Sequence, residues 1–182
     1  MAKKEKPLMP INKFYTKAFS LIELLVAIAL VAIILLVAIP SFGGMVGKNN
    51  TMAYANELMT ALQFTRSVAI KLGESVAFCG SRDHKICDGL WQNGSVVVAS
   101  SGEVLRVLPP APNGVKLIWR GSFGIKNVVT FSPAGFPSGQ QGSFYCCHRD
   151  SSENALAVIL SLTGRVRVSN KTADGEIIPC NL

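Results

Sequence analysis

Between Phe19 and Ile39 the chain runs for 21 residues with only two polar side chains, Ser20 and Glu23. As an α-helix that run is about 30 Å long, enough to cross a bilayer. A helix that is apolar on every side has no face for water, so lipid or other helices must cover it. Glu23 sharpens the constraint. A carboxylate at membrane depth costs about 3 kcal/mol or more. Either the helix leaves lipid, or Glu23 finds a dedicated partner. The Ala-x-Ala match at Ala27–Ala29 lies mid-run, which is the wrong place for a secretory cleavage site.

Charge orients the segment. The formal net charge is +7. Residues 1–18 carry Lys3, Lys4, Lys6, Lys13 and Lys17 against Glu5, a net of +4, and the other 13 basic and 10 acidic residues leave +3. A basic flank stays in the cytoplasm. The chain is thus expected to divide into a leader (1–18), a transmembrane or assembly helix (19–41) and an exported head (42–182). The head is expected across the membrane from the basic flank.

Pro40 and the following "SFGG" suggest a kink or a melted turn. Helical spacing returns near Asn50. Ala55, Leu58, Met59 and Leu62 form an apolar stripe, with Asn56, Thr60, Gln63, Ser67 and Lys71 opposite, and Gly73 is placed to cap the end. Eight short strand candidates follow, at 75–79, 95–99, 103–108, 115–119, 127–131, 143–147, 155–161 and 165–169, separated by Gly, Pro, Asn and Ser. Residues 19–72 thus read as one long, bent helix, and such a helix followed by antiparallel strands is an α+β arrangement.

All five cysteines follow the apolar run, on the side where disulfides persist. Cys79 and Cys87 flank a short polar loop and are expected to pair. Zinc would call for Cys-x₂-Cys spacing, which is absent, so no metal is expected from Cys79, His84 and Cys87. Cys180 would tie down the tail through Cys146 or Cys147, and only one of these adjacent residues can face it. His84 and His148 read as surface histidines. No Ser/His/Asp or paired-carboxylate motif appears, so neither catalysis nor a cofactor is expected.

The stretch "TGRVRVSNK" (163–171) concentrates positive charge. In a strand, Arg165 and Arg167 project from one face while Val166 and Val168 turn inward. Two residues of strand span about 7 Å, the scale of the step between phosphates along a nucleic-acid strand. Lys171 extends the run, and the next acid is Asp174.

The stretch "AFSLIELLVAIALVAIILLVAIP" resembles the N-terminus of type IV pilins and type II secretion pseudopilins. That resemblance implies cleavage by a prepilin peptidase between Ala18 and Phe19, methylation of the new amine, and Glu23 as the fifth mature residue. The family usually has Gly before the cut, where this chain has Ala18. In a filament the Glu23 carboxylate would pair with a neighbour's terminal amine. "VAFCGSRDHKICDGLWQNGSVVVAS", "VVTFSPAGFPSGQQGSFYCC" and "AVILSLTGRVRVS" resemble the GspH/FimT branch of minor pilins. This implies a long bent helix packed on antiparallel sheet, a single pass through the inner membrane with a periplasmic head, assembly into a pilus at the cell surface, and other pilins as partners. The family's Phe-x-x-Cys pattern, at Phe144, implies Cys147 as the partner of Cys180. A Gly-Arg-x-Arg motif, matched by Gly164, Arg165, Val166 and Arg167, implies non-sequence-specific DNA capture in natural transformation. The alternatives are a structural minor pilin or pseudopilin that primes assembly without binding DNA, and an anchored adhesin-like domain that never assembles.

Overall fold

The computed structural model of the chain describes residues 20–124, 127–149 and 151–181, with the backbone alone described over 37–43 and at Phe123. The chain divides into two compact units, Met1–Ser41 and Phe42–Leu182. Helix α1 spans Leu21–Leu72 and enters both. In the first unit every described side chain from Ser20 to Leu36 is exposed, large aliphatics included. Among the described residues no helix is long and apolar enough to cross a membrane. The described side chains of the apolar run end at Leu36, short of Ile39.

Helix α1 continues through Pro40 and residues 41–44 without a melted turn, as the single long helix expected over 19–72. A proline removes one backbone donor, and the helical bonds on either side carry the chain past it. In the second unit α1 is amphipathic. Thr51, Tyr54, Ala55, Leu58, Ala61, Leu62, Thr65 and Ala69 are buried along one stripe. The two threonines are tolerated there because each hydroxyl bonds back one turn. Thr51 donates to the Gly47 carbonyl at 3.0 Å and Thr65 to the Ala61 carbonyl at 2.7 Å. The helix ends at Gly73, which takes a left-handed φ of 69° and donates its N–H to the Ala69 carbonyl at 3.0 Å.

The strands are β1 Val76–Gly80, β2 Ser95–Ala99, β3 Val104–Leu108, β4 Val115–Gly121, β5 Val128–Phe131, β6 Gly142–His148, β7 Ser151–Leu160 and β8 Val166–Ser169. They form two antiparallel sheets, ordered β3-β2-β1-β5 and β4-β6-β7-β8. One apolar cluster joins the α1 stripe to both sheets. Phe144 sits at its aromatic centre, with ring centroids 4.3 Å from Trp119, 4.9 Å from Trp91 and 6.0 Å from Phe78. Alternation along β6 divides its side chains. Phe144 and Cys146 enter this cluster, while Tyr145 and Cys147 enter a second one with Ile159, Ile178 and Cys180. The C-terminal tail therefore covers part of the outer face of the second sheet.

The edge of β4 is held without a neighbouring strand. Gln92, in a 3-10 turn at Trp91–Asn93, accepts from the Leu117 N–H at 2.8 Å and donates to the Val115 carbonyl at 2.9 Å. One side chain thus satisfies a donor and an acceptor that an edge strand leaves open.

Candidate functional site

Strands β7 and β8 are joined by a tight turn that positions the basic motif. Gly164 donates to the Ser161 carbonyl at 2.9 Å and takes a φ of 76°. Ser161 in turn donates to the Arg165 carbonyl at 3.0 Å. This is a type I turn closed by a left-handed glycine. A second demand falls on the same glycine, since a Cβ there would lie 2.4 Å from the Gly135 carbonyl oxygen. Arg66 of α1 reaches across and donates from Nη1 to the Gly164 carbonyl at 2.9 Å. The turn is thus clamped between the helix and the loop at Gly135.

Arg165, Arg167 and Lys171 are all exposed, while Val166 and Val168 pack against the main core. Arg165 falls just before β8 rather than inside it, because the turn consumes it. The two arginines consequently open onto different depressions. Arg165 lines one with Arg66, Gln63 and Ile70 of α1. Arg167, whose register partner is Ile159, lines one on the outer face of the second sheet with Arg120 and Asp174.

Arg66 and Arg120 are absent from the sequence reading, and Asp174 appears there only as the acid that ends the basic run. Arg120 lies 47 residues before Arg167, and only the register of β4 on β6, β6 on β7 and β7 on β8 brings the two into one row, through Ser143 and Ile159. Tyr145 lies between the two arginines in the sheet order. Burial pushes its phenol up, while Arg120 pulls it down and Asp174 pushes it up.

Glu23 lies in the first turn of α1, exposed among exposed aliphatic side chains. The Ala18–Phe19 bond lies outside the described residues. Cys79 is bonded to Cys87, and Cys147 to Cys180. Within the first ring the loop is ordered by carboxylates. The Asp83 carboxylate accepts from the backbone N–H groups of Lys85 and Ile86 at 2.9 and 3.1 Å, which holds its pKa below the usual carboxylate range.

Cys146 is free and buried, and burial pushes its thiol up to about 12. The thiolate is the reactive form. Iodoacetamide at pH 8 is therefore expected to leave Cys146 unlabelled in the folded protein and to label it fully in denaturant. Mass spectrometry under non-reducing conditions reads the result, and rapid labelling of the native chain would contradict this burial.

The two histidines differ from the surface residues expected. His84 and His148 are half-buried, and the Nδ1 of each is enclosed without a partner among the described residues. The His148 ring fills the space a Cβ would need at Gly47 of α1, 2.4 Å away, and also approaches Gly114. The glycine in "MVGKN" is the signal, a helical residue small enough for a ring to seat on the backbone. Among the described residues no three His, Cys, Asp or Glu side chains form a group that could hold a metal.

No curated protein sequence matches the chain. Among solved structures, the type IV minor pilin FimU of Pseudomonas aeruginosa is similar in fold. The identity is 21%, over 66% of this chain and 89% of that one, with a TM-score of 0.53. A second crystal form of FimU gives 19%, 65%, 91% and 0.49. The model of the prokaryotic N-terminal methylation motif matches residues 13–39. The model described as type II transport protein GspH matches residues 54–164, which runs from the buried stripe of α1 to the β7–β8 turn. The chain belongs to the GspH family.

Proposed function

We propose that this protein is a minor pilin of a type IV pilus whose head binds DNA through backbone phosphates. Residues 1–18 are a cytoplasmic leader removed by prepilin peptidase between Ala18 and Phe19. Residues 19–41 anchor the subunit in the inner membrane and then pack against other pilins. Residues 42–182 form the exported head, which travels with the pilus to the cell surface. The methylation motif over 13–39 and the uncovered aliphatic side chains up to Leu36 support the first part. The single observation that carries the DNA reading is the exposure of Arg165, beside a turn clamped by Gly164 and Arg66, and of Arg167, two residues further on in β8. A rigid turn and strand hold the guanidiniums at little entropic cost, and Lys171 adds charge nearby. Contacts to phosphate carry no sequence information. The protein is a binding and assembly subunit, not an enzyme.

The GspH family description favours a second reading, a type II secretion pseudopilin that primes filament assembly without nucleic acid. A mobility-shift titration with the full chain in neutral detergent, at two salt concentrations, separates the two. Under the DNA reading binding weakens steeply with salt. The double variant Arg165→Gln/Arg167→Gln should lower affinity for every duplex alike and reduce the salt slope by about one unit per lost contact. Its melting temperature should match the parent's, since exposed substitutions shift stability by about 0.5 kcal/mol or less. If the variant melts normally and binds DNA as tightly as the parent, the turn is not the site.

A further inference from the structure

We propose that the outer face of the second sheet is a second phosphate-binding track, in which Arg120 and Arg167 hold one polynucleotide backbone and Asp174 weakens the grip. This rests on the DNA-binding reading above and adds the sheet face and two residues to it. The groove has a volume of about 490 Å³ and is polar at its margins, with Ser122, Ser143 and Ser161 among its lining residues. Its two arginines stand on the outer strands of the sheet, Arg120 on β4 and Arg167 on β8, with β6 and β7 between them. Three strand spacings put their backbones about 14 Å apart. That is about twice the step between neighbouring phosphates, so a backbone laid across the strands can meet both guanidiniums.

The arginines are available for this. Both are exposed, and among the described residues neither has a carboxylate within ion-pair distance. Other arginines of the head have visible employment. Arg66 clamps the Gly164 turn, Arg82 pairs with Asp88, and Arg106 stacks over Phe64. A guanidinium left open at each end of one polar groove suits bidentate capture of phosphate oxygens.

Asp174 is the discordant group. It sits on a turn in which Gly175 donates to the Thr172 carbonyl at 3.1 Å, and it lines the same groove. The tail that carries it is fixed at Cys180 to Cys147, on the same sheet. A single carboxylate facing two guanidiniums lowers the local attraction for phosphate without abolishing it. Its removal should therefore act in the opposite sense to removal of an arginine, which a merely structural role would not produce.

The test is a mobility-shift titration of the full chain in neutral detergent, with a short duplex of arbitrary sequence, at two salt concentrations. Arg120→Gln is expected to weaken binding about tenfold and to lower the salt slope by about one unit. Arg120→Lys should keep the slope and lose less affinity, and it guards against a folding artefact. Asp174→Asn is expected to tighten binding several-fold. If Arg167→Gln weakens binding while Arg120→Gln and Asp174→Asn match the parent, the groove proposal is overturned and DNA binding by the turn survives. If the parent binds no DNA, the functional reading fails and the groove falls with it. If the parent ignores DNA but binds phosphatidylglycerol vesicles through Arg120, the groove serves lipid headgroups and the proposal is likewise overturned.

Discussion

Replacing Cys147 and Cys180 together by alanine is expected to lower the unfolding free energy by about 3.5–4 kcal/mol. The bridge joins residues 33 apart in sequence, whereas Cys79–Cys87 joins residues 8 apart. In the chain-entropy account the longer ring removes more freedom from the unfolded state, and the shorter one is worth about 2.5 kcal/mol. Packing acts in the same direction. Cys147 and Cys180 are almost wholly buried beside Ile178 and Tyr145, in the small cluster that seats the tail. The double replacement is the clean experiment, because Cys180→Ala alone leaves a free Cys147 beside the buried thiol of Cys146. Urea unfolding of both pair-replacements measures the difference. A smaller loss for Cys147/Cys180 than for Cys79/Cys87 would show that the tail is held by its side chains rather than by its bridge. The same variant should also disturb the groove, since the turn bearing Asp174 hangs between β8 and Cys180.

Local pattern was enough to read most of the head. Each strand candidate has a counterpart, because β-branched runs bounded by Gly, Pro and Asn are decided within a few residues. Strand β7 nevertheless begins at Ser151, four residues earlier than its apolar pattern suggested, since pairing with β6 extends a polar segment that alternation cannot flag. The long helix read over 19–72 runs unbroken over Leu21–Leu72, and the melted turn that Pro40 allowed does not occur, because one missing donor does not end a helix whose neighbours continue it. The break at Gly164 was legible, because it lies between the strand candidates 155–161 and 165–169. Its clamp by Arg66 was not, because the contact joins residues 98 apart. The shared groove of Arg120, Arg167 and Asp174 was not legible for the same reason, since membership of a groove across four strands is a property of register. His148 was misread because a half-buried imidazole and a surface one look alike in sequence. Only the missing Cβ of Gly47 distinguishes them.

Glu23→Ala is expected to leave membrane insertion intact and to reduce recovery in filaments by two to three orders of magnitude. Glu23 lies in the first turn of α1, within a run whose described neighbours are exposed aliphatics. In lipid its carboxylate is a liability, so alanine makes the anchored subunit more comfortable where it is. In a bundle of such helices, the proposed partner is the terminal amine created by cleavage at Ala18–Phe19 in a neighbouring subunit. Removing one member of a buried pair strands the other, at a cost of about 3–5 kcal/mol. Both changes oppose transfer from membrane to filament, so their effects add. Glu23→Gln divides them: it lightens the membrane cost while keeping a hydrogen-bond acceptor for the amine, and should fall between parent and alanine. The measurement is the ratio of subunit in sheared filaments to subunit in the membrane fraction. Equal ratios for parent and Glu23→Ala would mean that the carboxylate has no partner in the assembly and that Glu23 stays with the headgroups.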